Sequence, residues 1–152
     1  MRNHQRLALA ALLGLTATIS LAGGTLTVKD PYVRAVPPGQ QNSAAFMELV
    51  NGTGAQRALV GGASDAAEVV ELHTHIMEGD MMKMRRIERI ELPAGQTVTL
   101  APGGLHVMLI GLKRGLNRGD QIELTLNLDD GTAVKVQAPV RQARAMRPHP
   151  HH

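Results

Sequence analysis

Two short stretches of this chain concentrate side chains able to hold a soft metal ion. The first is ELHTHIMEGDMMKM, residues 71–84, which contains His73, His75, Met77, Met81, Met82 and Met84. The second is GLHVM, residues 104–108, which adds His106 and Met108. The other four of the seven histidines lie near the ends of the chain, at His4, His149, His151 and His152.

Imidazole and thioether together define a narrow chemistry. Both are neutral donors, and the thioether selects soft ions such as Cu(I). Mg²⁺ and Ca²⁺ take oxygen ligands, so this set disfavours them. Zinc sites use Cys, His and carboxylate rather than Met, which makes zinc a weaker fit. The chain has no cysteine, so a blue-copper electron-transfer centre, which needs a thiolate, is not expected. The set suits reversible holding of Cu(I) better than shuttling electrons. None of it needs to act as acid, base or nucleophile, and no enzyme is expected.

The elements that must position these donors read as short strands. In QIELTLNLD, residues 121–129, Ile122, Leu124, Leu126 and Leu128 alternate with polar residues, the pattern of a half-buried strand. Asp129-Asp130-Gly131 then supplies a turn, and Val134, Val136 and Ala138 carry the apolar face of a returning strand. Further candidate strands span residues 25–28, 44–50, 58–60, 68–76, 81–90, 97–100 and 106–109, separated by Gly, Pro and Asn turn signals that include Gly61-Gly62 and Pro102-Gly103-Gly104. No segment has a long, capped helical pattern. An all-β, antiparallel sandwich or barrel in a single domain is the expectation.

Alternation also assigns faces. His106 and Met108 leave one side of their strand, while Leu105, Val107 and Leu109 leave the other and anchor it. In the upstream stretch Val70 and Leu72 point inward, Glu71 and His73 outward. A hairpin followed by a third strand brings His73, Met84, His106 and Met108 to one edge of the sandwich. Taken singly, a Met in an apolar strand is core filler; Met47, alternating with Ala45 and Leu49, reads that way. Met77, Met81 and Met82 stay open between core, rim and auxiliary donor. Lys83, Arg85 and Arg86 flank Met84 and read as a solvated strand edge in preference to a dock for an acidic partner.

Composition bounds the rest. The opening residues 1–22 have Arg2 and Arg6 ahead of an uncharged apolar run ending in Ser20-Leu21-Ala22, the pattern of a cleaved secretory signal. The expected layout is a signal peptide over 1–22, a domain over 23–141 and a polar Met/His-containing tail over 142–152. The formal net charge of +3 falls to +1 once the leader and its two arginines are removed. With nearly balanced charge and only Tyr32 and Phe46 as aromatics, a nucleic-acid role has no support. Stable membrane insertion is not expected, a lipobox anchor is excluded by the absence of cysteine, and the chain reads as a monomer.

The joint spacing is more specific than any one residue. His73, ten residues, Met84, twenty-one residues, then His106-Val107-Met108 matches H-x10-M-x21-H-x-M. By that motif, and by segments such as DPYVRAVPPGQ, AAFMELVNGTG and MKMRRIERIELPAGQTVTLAPGGLHVMLIGL, residues 25–141 resemble the periplasmic copper chaperone family PCu(A)C. The resemblance implies a cupredoxin-like, Greek-key β-sandwich. It implies Cu(I) held by His73, Met84, His106 and Met108, and delivery in the periplasm to the copper-site subunit of cytochrome c oxidase, alongside a Sco-type protein. His75 has the right chemistry to substitute for His73 but breaks the ten-residue gap; His75 and Met82 are auxiliary candidates. Where some members carry Met directly after the first His, this chain has Thr74. Some members have a longer Met/His-rich extension that takes Cu(II); here Met146, His149, His151 and His152 form a reduced version of it, a solvated end or a cloning remnant. Two other readings share parts of the same sequence: a copper buffer or resistance protein with identical ligands, and a metal-free β-sandwich binding module.

Overall fold

The computed structural model describes residues 25–142, all of it strand and turn. The proposed leader over 1–22 and the tail histidines His149, His151 and His152 lie outside the described residues. Ten strands follow in order: β1 (Leu26–Arg34), β2 (Asn42–Asn51), β3 (Arg57–Ser64), β4 (Ala67–Glu78), β5 (Met81–Ile87), β6 (Ile90–Leu92), β7 (Thr97–Leu100), β8 (His106–Leu112), β9 (Gln121–Leu128) and β10 (Ala133–Arg141). The hydrogen-bonded path runs β5-β4-β8-β2-β1-β10-β9-β3-β6, with β7 also on β2. β5 and β6 are its two edges.

The path wraps into a sandwich. One layer contributes Leu72, Val107, Leu109, Ala45, Met47 and Leu49 to the core; the other contributes Leu59, Ile122, Leu124, Leu126, Val136 and Ala138. The long apolar alternation of β9 and β10 is the reason they form the clearest hairpin: Leu124 pairs with Val136 and Ile122 with Ala138, so both buried faces coincide. Met47 is 2% exposed, core filler as its alternation predicts.

Four details depart from the strand expectations. The pairing is antiparallel everywhere except between β1 and β10, which run parallel through Val33–Val140 and Arg34–Arg141 and join the two layers. β1 runs past residue 28 because its register slips by one residue between Lys29 and Tyr32, where Asp30 adopts a φ of 49°. That extra residue is a β-bulge, and it flips every later side chain of β1 to the opposite face. Val33 thereby enters the core, and Tyr32 and Arg34 turn outward. Gly61-Gly62 lies inside β3 rather than in a turn: a Cβ on Gly62 would sit 2.5 Å from the Thr125 carbonyl oxygen of β9, so the two backbones approach where only glycine fits. Residues 81–90 form two strands, because the chain leaves β4 after Ile87 and crosses to β3 at Ile90. Ile87 and Ile90 are three apart and both face the core, which a straight strand of period two does not permit.

Candidate metal site

The site is built by register. In the β4–β8 ladder His73 lies directly opposite His106, and Glu71 opposite Met108. In the β4–β5 ladder His75 lies opposite Met84. Residues directly opposite share a face, so His73, His75, Met84, His106 and Met108 all project from the outer face of three adjacent strands. A cleft of about 230 Å³ opens there, walled by His75, Met84, His106 and Met108, with the Pro102-Gly103 turn and Arg34 at its rim. Ala44, opposite Met108 on β2, is small enough to leave it room.

Burial is graded across the cleft. His106 is 2% exposed, whereas Met84 on the edge strand is 48% exposed. His106 is oriented from behind: its Nδ1–H donates to the Gly104 carbonyl at 2.9 Å, in the tight turn closed by the Gly104 N–H to the Ala101 carbonyl. The carbonyl can only accept, so the proton is on Nδ1 and Nε2 keeps its lone pair. Burial pushes the His106 pKa below its ordinary value, and the neighbouring His75, His73 and Arg34 charges act the same way against the Gly104 hydrogen bond. The imidazole is thereby held neutral, the ligand-competent form.

His73 has the mirror arrangement. Its Nε2–H donates to the Glu71 carboxylate at 2.8 Å, which leaves Nδ1 with the lone pair. That Nδ1 is buried and has no hydrogen-bond partner. A carboxylate on the far nitrogen is the arrangement that orients metal-bound histidines and raises their basicity. His73 does not wall the cleft itself; it stands beside His106 with ring centroids 5.8 Å apart. His75 does wall it, 5.2 Å from the His106 ring, and its buried Nδ1 also lacks a partner. The four spacing-selected residues are therefore brought onto one face, with His75 between His73 and the opening. Met82 shares that face and lies two residues beyond Met84 toward the hairpin tip.

Tyr32 and Phe46, which carry no metal donor, complete this region. Phe46 packs between Tyr32 at 5.3 Å and His106 at 6.2 Å between ring centroids. Arg141 lies over the Tyr32 ring at 5.5 Å. Alternation does not reveal this neighbourhood, because the bulge at Asp30 that sends Tyr32 outward leaves no mark in the pattern. Around the hairpin, Lys83 pairs with Glu78 at 2.9 Å and Arg86 with Glu71 at 3.7 Å. Two of the three cations flanking Met84 are thus matched by acids, in keeping with a solvated strand edge. Among the described residues, no three His, Asp or Glu side chains gather into a metal-holding group.

Residues 26–140 match the LpqE-like family, described as "Putative lipoprotein LpqE-like". The chain belongs to the LpqE-like family. This LpqE-like chain is 34% identical over 143 residues to "Putative lipoprotein Lxx21020" of Leifsonia xyli subsp. xyli, an overlap of 87% of the chain and 85% of that relative. Its fold is similar to that of the copper-bound PCuAC domain from PmoF2, with a TM-score of 0.67 and 28% identity over 80% of this chain and 96% of that one. It is also similar to the solution structure of the Cu(I) form of DR1885 from Deinococcus radiodurans, with a TM-score of 0.66 and 36% identity over 82% and 83% of the two chains. The LpqE-like chain thus has the cupredoxin-like β-sandwich of PCuAC domains.

Proposed function

We propose that this protein is a copper chaperone that carries Cu(I) on the outer face of β4, β5 and β8. His73 Nδ1, His106 Nε2 and the Met84 and Met108 sulfurs are the donors. His75, at the opening, is an auxiliary imidazole outside this set of four. The observation that carries this reading is the paired orientation of the two histidines. Each has one nitrogen engaged, by Glu71 or by the Gly104 carbonyl, which leaves the other with its lone pair; His106 walls the same cleft as Met84 and Met108, and His73 stands directly beside it. Neutral nitrogen and sulfur donors without a thiolate hold Cu(I) and leave it exchangeable. The copper-bound PmoF2 domain supports copper as the ion, and the Cu(I) form of DR1885 supports its oxidation state.

Release follows the burial gradient. Met84 sits half exposed on an edge strand, so an acceptor reaches it first; His106, buried and tied to Gly104, lets go last. The ion is cargo and stays Cu(I) throughout. Apolar leader residues and the lipoprotein descriptions of the family and its Leifsonia relative support export. We assign the periplasm as the compartment and a copper-site subunit of cytochrome c oxidase, or a Sco-type thiol protein, as the acceptor.

The test is an anaerobic titration of the full chain against a colorimetric Cu(I) chelator, followed by mixing the loaded protein with an apo oxidase copper domain. One tightly held equivalent that moves to the acceptor supports carriage. Retention of the ion in the presence of the acceptor assigns storage instead, and no uptake assigns a metal-free binding module.

A further inference from the structure

The inner donors use one end of a longer row of soft ligands. Six large hydrophobic side chains are exposed among the described residues, and four of them are methionines packed into residues 77–84: Met77 at 62%, Met81 at 65%, Met82 at 59% and Met84 at 48%. Burial is the ordinary use of methionine, and these four are not buried. A plain apolar contact patch would be served by Leu or Ile as well; here every member carries sulfur.

Register sorts the four. Met77 is directly opposite Met82 in the β4–β5 ladder, and the next pair on the same face is His75 with Met84. Met81 pairs with Glu78 and alternates to the other face. Opposite Cβ atoms in such a ladder are about 5 Å apart, and successive same-face residues along a strand about 7 Å. A methionine with three rotatable side-chain bonds spans that gap. Met84 therefore belongs to two groups. Outward it reaches Met82 and Met77; inward it walls the cleft with His106 and Met108.

We propose that Met77, Met82 and Met84 form an outer, all-thioether position that receives Cu(I) and passes it inward, with Met84 held in common. The inference rests on the Cu(I) reading above. Transfer is pure ligand exchange: the Met77 and Met82 sulfurs leave the ion as the His106 nitrogen and Met108 sulfur replace them. No proton or electron moves, because every donor is neutral and the ion stays Cu(I). Weak thioether-only binding at the exposed end and stronger mixed binding at the buried end give the handoff its direction. Retaining Met84 throughout keeps the ion from being released to water between the two positions.

The experiment uses the full chain with ¹³C-labelled methionine methyl groups, titrated with Ag(I), a soft, diamagnetic d¹⁰ stand-in for Cu(I). In the His106→Ala chain, whose inner set is broken, the Met77, Met82 and Met84 methyl signals are expected to shift together. Stationary Met77 and Met82 signals overturn the outer position. In the parent chain the Met108 signal reports the inner set on its own, so a stationary Met108 with responsive Met77 and Met82 would fault the inner reading alone. A Met77→Leu/Met82→Leu chain, altered only at exposed positions, is expected to take Cu(I) from a chromophoric chelator at least about tenfold more slowly in stopped flow. An uptake rate equal to the parent's overturns the handoff.

Discussion

His73 and His106 face each other directly across the β4–β8 ladder, their ring centroids 5.8 Å apart, and each has one ring nitrogen committed to a different acceptor. Two imidazoles fixed in opposite tautomers on neighbouring strands thus keep one Nδ1 and one Nε2 out of these hydrogen bonds. Generic packing does not require that; it leaves the His73 Nδ1 buried without a partner, at a desolvation cost that an ion bound there would relieve.

That relationship separates His73 from His75. Replacing His73 with Ala is expected to weaken Cu(I) binding about 10–100-fold, and Glu71→Gln to do so in the same direction, since Glu71 orients the ring. His75→Ala is expected to have the smaller effect of the two histidine replacements. Competition titrations with a Cu(I) chelator check the order; a larger loss in His75→Ala reverses the assignment.

The buried His106 makes stability depend on pH. Its folded pKa lies below the unfolded value, so between the two the unfolded chain binds more protons. The stabilisation is fully present above about pH 6.5 and is lost as pH falls through the folded pKa. Urea midpoints of the metal-free protein should fall from about pH 8 to about pH 5, and fall less in a His106→Asn chain. Equal pH slopes in the two proteins would contradict this. Cu(I) affinity should decline over the same range, because protonated imidazole cannot ligate.

Gly62 tests the close approach of β3 and β9. An added methyl group meets the Thr125 carbonyl oxygen at 2.5 Å and the Val70 side chain at 3.3 Å. Gly62→Ala should therefore lose about 2 kcal/mol or more of stability in urea denaturation, with Cu(I) affinity of the folded protein unchanged. An Ala variant as stable as the parent would mean that the sheets tolerate a shift there.

Asn51 is a buried polar clasp. Its amide donates to the Leu92 and Ala55 carbonyls at 2.6 and 2.8 Å, and its oxygen accepts from the Thr53 N–H and hydroxyl at 3.0 and 2.7 Å. Asn51→Ala strands those partners, and a loss of about 2 kcal/mol is expected in thermal or urea unfolding. A loss well under that figure would mean water replaces the amide.

Much of this arrangement is legible in the residues before any coordinates. Period-two alternation marks β8, β9 and β10, and it is enough to place His106 and Met108 on one face with Val107 and Leu109 on the other. It fails where the period breaks. The bulge at Asp30 conceals the second half of β1 and the outward turn of Tyr32. The close approach at Gly62 looks like a turn because glycine serves both purposes. The crossing between Ile87 and Ile90 looks like one strand because both halves are apolar on alternate residues. The parallel β1–β10 contact depends on how the layers close, which no local pattern encodes. Likewise, the family motif selects His73 over His75 and alternation puts Glu71 on the face of His73, but only register shows that His75 faces Met84.

The central claim is a mixed nitrogen and thioether site for Cu(I), and X-ray absorption at the copper edge of the loaded, full-length protein tests it most directly. Two nitrogen and two sulfur scatterers around a Cu(I) edge are expected, with the sulfur shell diminished in Met84→Ala and in Met108→Ala. A first shell of nitrogen and oxygen alone, unchanged by either substitution, would contradict the account.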